Sequence, residues 1–358
     1  MKLLFLCNTL YQLIGASCIR SMFPDDRSEL ILSDHSTGNK KVYESFQKYK
    51  VIFDRVYYLN TKYLYEYDEK LSKWEYSNDL RTDGTIKKIA EFSSDYDMFF
   101  CANAEPFSTR IVNYILHSNR NAVINWFEDG LSAYSFDKRY FLSTKERVKS
   151  KIKGLFGIYG VTSSVRNYYV FHPEKMEWKP KAIVKQIRPM SKKLADDLGT
   201  IFDYKHCVDK YNEKYIFFED GSMDWSTGSD IELVNEIANI VGKENIIVKI
   251  HPRNPVNRFK ELGYKTNQDT SVPWEVIASN IDIQKKILIT LYSQSIVTPE
   301  ILLGENGTCI SLAKLDSNST KAENEIFDYI NRQYFQKNKE RYYVPKTHEE
   351  LKTIFREI

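Results

Sequence analysis

The apolar run Val248-Lys249-Ile250 stops at His251-Pro252-Arg253. Proline cannot continue a strand ladder, so a histidine ahead of it is turned out of the sheet. An imidazole flanked by lysine and arginine is chemically suited to meet a phosphate. Farther along, Leu291-Tyr292-Ser293-Gln294-Ser295 also follows an apolar run. Ser295 is placed to cap the helix expected after it, and hydroxyls beside the free amides of a helix start receive phosphate oxygens. Between the two lies Pro273-Trp274-Glu275, whose carboxylate can accept both hydroxyls of a ribose. Phosphate, ribose and phosphate contacts in this order describe a nucleotide-sugar site. Each stretch alone also reads as an ordinary turn or cap, as His172-Pro173 does.

Two further stretches carry paired carboxylates and a glycine, Trp126-Phe127-Glu128-Asp129-Gly130 and Phe217-Phe218-Glu219-Asp220-Gly221-Ser222. Glycine permits a tight loop after a strand, and one carboxylate of such a pair can face a cleft and act as a general base. A single transfer needs one base. Either Asp129 or Asp220 could supply it. Asp95-Tyr96-Asp97 has the spacing of a cation motif, but it precedes an apolar run instead of following one and reads as a solvated strand entry.

Such groups need strands that end on one side of a sheet. Apolar runs at 2–7, 28–32, 98–101 and 122–127 read as strands, with a helix over 11–22. A second series has strands at 215–218, 246–250, 287–291 and 308–312, and helices at 230–241, opened by Ser229, and 296–303. The pattern predicts an α/β protein of the GT-B type, two Rossmann-like domains facing a cleft, with ligand loops at the carboxyl ends of the strands. The expected domains are 1–195, on the acceptor side, and 196–358, on the nucleotide-sugar side. The stretch 180–214 reads as a connection with helical pieces.

A chain of 358 residues is long for one core and suits two domains. A net charge of +3 excludes a strong bias toward nucleic acid. The five cysteines are scattered, with no CxxC pair for zinc or redox work, which points to a reducing cytoplasm. The opening MKLLFLC is too short an apolar run for an export signal, and no later run is long enough to span a membrane. Residues 138–153 carry seven Lys and Arg against one Glu with apolar residues interleaved. That composition fits a solvated helix face, with peripheral contact to the inner face of the cytoplasmic membrane as the sharper reading.

The chain resembles bacterial sialyltransferases, particularly the lipooligosaccharide and capsule sialyltransferases of glycosyltransferase family 52. The resemblance lies in Glu128-Asp129-Gly130, in His251-Pro252 and in the serines at 293 and 295. Thr9-Leu10-Tyr11-Gln12-Leu13 is similar to the family's Thr-Pro-Leu-Gln opening, with Leu10 and Tyr11 departing from it. The resemblance implies an inverting, metal-independent transfer of sialic acid from CMP-sialic acid to a surface glycan, with terminal galactose and an α2,3 linkage as the family-level acceptor. Asp129 would be the base, with Asp220 and Asp224 in the second half of the chain as alternatives, and His251 the group that meets the CMP phosphate, with Ser293 and Ser295 on the same phosphate and Glu275 on the ribose. Lys249, Pro252, Arg253, Gly221 and Ser222 would complete the donor side, and Thr9, Gln12, Asn103, Glu128 and Gly130 the acceptor side. No cofactor is expected, and a homodimer is left open. The competing readings are a CDP-glycerol-type polyol-phosphate transferase, a nucleotide-glucose transferase, and a glycan-binding assembly protein without activity.

Overall fold

The computed structural model describes residues 1–36, 38–135, 137–139, 141, 144–207, 209–221, 229–254, 256–267 and 271–358, apart from the side chains of Arg139, Thr144 and Arg147. Ser222 and Asp224 therefore lie outside the described residues. The chain divides into two compact units, Met1–Phe202 and Asp203–Ile358.

The first unit is built on seven strands: β1 (Lys2–Cys7), β2 (Arg27–Ser33), β3 (Arg55–Leu59), β4 (Met98–Cys101), β5 (Val123–Phe127), β6 (Val165–Val170) and β7 (Ile183–Gln186). All pairs are parallel, in the order β3-β2-β1-β4-β5-β6-β7. The central strand β1 reads Leu-Leu-Phe-Leu-Cys after Lys2 and buries all five of these residues, as expected of a strand covered on both faces. The helix Leu10–Arg20 follows it at once. Thr9 Oγ1 accepts the Gln12 backbone N–H at 3.2 Å to cap this helix, and Arg20 occupies its last turn, opposite in sign to the helix dipole there.

The second unit carries β8 (Tyr215–Phe218), β9 (Ile246–Lys249), β10 (Lys265–Thr266), β11 (Ile287–Thr290), β12 (Thr308–Ser311) and β13 (Tyr342–Tyr343). They are again all parallel, in the order β10-β9-β8-β11-β12-β13. In both sheets the first strand of the unit lies in the middle and the chain winds outward first to one side, then to the other. Such a sheet has a switch point, between β1 and β4 and between β8 and β11, where the loops at the carboxyl ends diverge and a ligand can enter.

Two expectations change. The stretch 180–214 is more than a connection, since it supplies β7 at the edge of the first sheet and the helix Lys192–Ile201. That helix buries Leu194, Ala195, Leu198 and Ile201 and packs on the helices Leu10–Arg20 and Asn39–Lys48. A boundary at 195 would cut it, and the units divide after Phe202 instead. The serine loop differs too. The helix expected from 296 begins at Thr298, and Ser295 does not cap it. Ser293 caps a single 3₁₀ turn over Gln294–Ile296 by accepting the Ser295 N–H at 3.3 Å.

Candidate active site

In the first unit the carboxyl ends of β1, β4 and β5 converge on a network of side chains. Asn8, just past β1, donates from Nδ2 to Glu105 Oε2 at 2.7 Å and so ties the two sides of the switch point together. Its backbone N–H donates to Gln12 Oε1 at 2.7 Å, and Gln12 passes the interaction on through Nε2 to Asp129 Oδ2 at 2.8 Å. Gly130 takes φ = +70°, a left-handed conformation that favours glycine, and the chain turns sharply away behind Asp129.

The two acids of this motif have separate fates. Glu128 is fully buried. Its carboxyl accepts from Tyr11 Oη at 3.0 Å, from Tyr134 Oη, and from the Phe171 N–H at 2.8 Å. Burial raises its pKa to about 7 against the pull of these donors. The expectation that Glu128 faces an acceptor is therefore corrected: it is a buried tie between β5, β6 and the first helix. Asp129 is only partly buried, with Gln12 as the side chain donating to it. Burial moves its pKa up to about 6, with smaller contributions from the charges of Asp137 and Glu105. An accessible carboxyl poised near neutrality has the properties of a general base.

Thr9 and Gln12 act on this site through position, the first as a helix cap and the second, buried, as the donor that orients Asp129. Asn103 accepts the Ser108 hydroxyl at 2.7 Å in the loop after β4. His172-Pro173 proves to follow the end of β6, close to the same network: the His172 N–H donates to Tyr134 Oη at 3.2 Å, while its ring pairs with Glu174 at 2.8 Å. Asp95 and Asp97 bracket the entry to β4 and both bind Lys2, through an ion pair and a backbone N–H. Tyr96 between them is buried against Glu29.

In the second unit the ends of β8, β9 and β11 meet. Glu219 is 2% exposed. One of its carboxylate oxygens accepts from Arg258 Nη2 at 3.1 Å and the other from the backbone N–H of His251 at 3.2 Å. Arg258 is held in turn by Asp230 at 2.6 Å. Asp220 accepts the Tyr292 N–H at 3.2 Å through Oδ2, which bridges the switch point, and its backbone carbonyl accepts from Asn254 Nδ2 at 3.1 Å. Gly221 lies directly against the imidazole: a Cβ there would fall 2.6 Å from Cε1 of His251. The Glu-Asp-Gly copy thus fixes the histidine turn with one residue, the serine loop with the next, and leaves room for the ring with the third.

His251 Nδ1 accepts the Arg253 N–H at 3.2 Å. Burial, with the charges of Arg253 and Lys249, pushes its pKa down to about 4, so the ring is neutral and its proton sits on Nε2. A neutral imidazole that carries its proton on Nε2 can act as a hydrogen-bond donor. Pro252 and Arg253 are exposed beside it. Lys249 does not share that exposure. It is buried, and its ammonium interacts with Glu275 and Asp209. Burial raises the Glu275 pKa while Lys249 opposes the rise. Trp274 donates from its indole to the Ser295 carbonyl at 2.9 Å and lies edge-on to Phe218, so Glu275 and the serine loop are held side by side. The Ser293 N–H is occupied by Thr290 Oγ1 at 3.0 Å.

Most side chains singled out in the sequence thus fall into two clusters, one per unit. Missed were the groups that hold them: Asn8, Tyr11, Glu105 and Tyr134 in the first unit, and Asn254, Arg258 and Asp230 in the second. Tyr11 stood out only as a departure from a family motif. Among the described residues no set of three or more His, Cys, Asp or Glu is grouped to hold a cation.

The alpha-2,8-polysialyltransferase family model matches residues 3–310, a span that contains both clusters. The chain belongs to this family. The likeness to sialyltransferases seen in the motifs holds at that level, and the match does not reach the narrower family 52 assignment. No curated protein matches the sequence. Among solved structures, similar folds include a glycotransferase of kitacinnamycin (TM-score 0.52, 9% identity, covering 99% of this chain and 90% of that one). UGT89C1 of Arabidopsis thaliana in complex with UDP is similar at TM-score 0.51 and 9% identity, over 99% and 89% of the two chains. VinC, a glycosyltransferase in complex with DTDP, gives 0.50 and 10% over 99% and 90%. Identities this low speak to the fold alone: two parallel α/β units of the GT-B type. With the family, they make this sialyltransferase-family member a glycosyltransferase.

One consequence of the site geometry is open to measurement. Burial raises the Asp220 pKa from its ordinary 3.8 to about 8, ahead of the opposing Tyr292 N–H bond and the nearby charges of Glu323, Asp230 and Glu219. A raised folded-state pKa gives stability that is full below the unfolded value and is lost as pH rises through the folded one. Asp220→Asn keeps an acceptor for Tyr292 and cannot ionise. Its melting temperature should therefore gain on that of the wild type as pH is raised from about 4 to about 8, and the gain should level off above that. A pH-independent difference would mean that Asp220 is already ionised in the folded protein.

Proposed function

We propose that this protein is an inverting sialyltransferase that uses CMP-sialic acid and needs no metal. The observation that supports it most is that the sialyltransferase family match spans both an accessible, near-neutral carboxyl at a strand end and a neutral, proton-bearing imidazole beside a serine loop.

In this reading the second unit takes the donor. The His251 Nε2–H donates to a phosphate oxygen of CMP, the hydroxyls of Ser293 and Ser295 add donors, and Arg253 adds charge. As the bond from the anomeric carbon to the phosphate oxygen breaks, negative charge grows on that phosphate, and fixed donors there lower the barrier. Glu275 accepts from the ribose hydroxyls. Asp220, its pKa raised by burial to about 8, repels the phosphate less than an ordinary carboxylate would, and the base in this reading is Asp129. Asp129 takes the proton of the acceptor hydroxyl as its oxygen attacks the anomeric carbon from the face opposite the leaving phosphate. Lys249, buried, acts through its charge beside Glu275. Asp224 and Ser222, the other candidates near Gly221, lie outside the described residues.

The family's description bears on the acceptor. The α2,8 linkage in its description favours a glycan that already ends in sialic acid. The motif likeness to lipooligosaccharide and capsule sialyltransferases favours α2,3 transfer to terminal galactose as a second reading. A panel of sialyl-terminated and galactose-terminated acceptors separates the two by which one is extended.

Calorimetry of the purified chain with CMP, CDP, UDP and GDP should show preference for CMP, and turnover should be unchanged by EDTA. Preference for CDP would favour polyol-phosphate transfer, preference for UDP or GDP another sugar donor, and turnover restored only by Mg²⁺ or Mn²⁺ a metal-dependent transferase. His251→Ala is expected to lower kcat at least about tenfold with the fold intact, whereas His172→Ala has a much smaller effect. Equal losses from the two would remove the assignment of His251.

Asp129→Asn keeps the size of the side chain and removes its basicity, and kcat should fall about a hundredfold or more with CMP affinity nearly unchanged. For the wild type, kcat should fall as pH drops through about 6, because the base must be deprotonated, and the residual activity of the variant should lack that limb. Near-normal turnover of Asp129→Asn would move the base elsewhere.

A further inference from the structure

The function proposed above leaves the basic stretch 138–153 unused. Its described core is the helix Thr144–Leu155, which continues into Phe156. Four large apolar residues stand in solvent there: Val148 at 53% exposure, Ile152 at 51%, Leu155 at 85% and Phe156 at 69%. Their spacing is that of one helical face. At about 100° per residue, Val148, Ile152 and Leu155 fall within roughly 60° of one another. Ser150 and Gly154 fall on the opposite side and face the protein: Ser150 donates to Ser163 Oγ at 2.6 Å, and a Cβ on Gly154 would lie 3.6 Å from the Tyr159 ring. The helix is anchored by its small residues and presents its large ones outward.

Exposed lysines accompany that face. Lys145, Lys149 and Lys151 flank the apolar stripe, and Lys153 lies farther round. Glu146 is the acidic residue of the helix. An apolar stripe bordered by cations complements a surface that is apolar within and anionic at its rim. A second copy of this chain offers no such match, because pairing two of these faces would set lysines against lysines. A soluble anionic glycan matches the lysines but gains nothing from the leucine and phenylalanine.

We propose that the face formed by Val148, Ile152, Leu155 and Phe156, with its flanking lysines, docks the protein onto an anionic lipid bilayer. The apolar side chains enter the boundary between head groups and acyl chains, and the lysines meet lipid phosphates. This inference is independent of the transfer chemistry, since none of these residues belongs to either cluster of the candidate active site.

Sedimentation with vesicles tests it. The protein should pellet with phosphatidylcholine vesicles that contain phosphatidylglycerol, much less with phosphatidylcholine alone, and be released by added salt. Replacing both Leu155 and Phe156 by Ser should lower vesicle partitioning at least about tenfold. Each of Lys149→Gln and Lys151→Gln should lower it roughly fivefold. All these positions are exposed, so the circular dichroism and melting temperature of the variants should match those of the wild type, as should their turnover on a soluble acceptor. Equal binding to both kinds of vesicle, or undiminished binding by the Leu155/Phe156 double variant, would overturn the proposal. So would a dimer in solution that this double variant breaks, because the face would then be a contact between copies. Failure of transfer activity with vesicle binding intact would count against the proposed function alone.

Discussion

Buried carboxylates at the ends of parallel strands set the terms for the rest of this molecule. A charge removed from water is tolerated only where donors meet it, and those donors must come from loops that would otherwise be free. Glu219 illustrates the constraint. Its two oxygens are divided between the guanidinium of Arg258 and the backbone N–H of His251. Satisfying the acid therefore fixes the turn on which the imidazole stands. Arg258 is held by Asp230 at the start of the helix Ser229–Val241, so the fixation reaches back into the core of the unit.

The first unit meets the same constraint with different chemistry. Among the described residues Glu128 is met by two tyrosine hydroxyls and an amide, with no cation in hydrogen-bonding contact. Neutral donors compensate a carboxylate less fully than a guanidinium does, and its pKa rises to about 7. The neighbouring aspartates also differ. Both are partly exposed, but Asp129 accepts from the Gln12 side chain and is held at about 6, whereas Asp220 accepts a backbone N–H across the switch point and is held at about 8. The same three letters thus give an acid held by a side-chain donor in one sheet and an acid held by a backbone N–H across the switch point in the other.

This is why the two motifs could not be told apart from the sequence. Their letters match, and what distinguishes them is contributed by residues far along the chain: Tyr11 and Phe171 for one, Arg258 and Tyr292 for the other. Strands such as Lys2–Cys7, Met98–Cys101 and Tyr215–Phe218 were legible to the residue, because a continuous apolar run between polar residues has few other uses. The edge strand Ile183–Gln186 was not, since its side chains are largely exposed and leave no apolar run to read. The serine loop was legible as a place but not as a geometry. Ser295 looked like the cap of a helix, and the cap is Ser293, on a shorter turn, because Trp274 claims the Ser295 carbonyl from a distant segment.

Legibility also tracks what each residue interacts with. His251 was recognised because proline, a local covalent constraint, marks the end of its strand. Its chemical state was not recognisable, since that depends on the Arg253 N–H at Nδ1, on the Glu219 carboxylate that fixes its backbone, and on the absence of a side chain at Gly221. With Nδ1 occupied as an acceptor and the ring neutral, the imidazole can face a ligand only as a donor from Nε2. Protonation would give Nδ1 a hydrogen directed at an N–H and would add a third cation beside Arg253 and Lys249, so the fold itself opposes it. The histidine turn is thus held in one protonation state by contacts to its backbone N–H and to Nδ1.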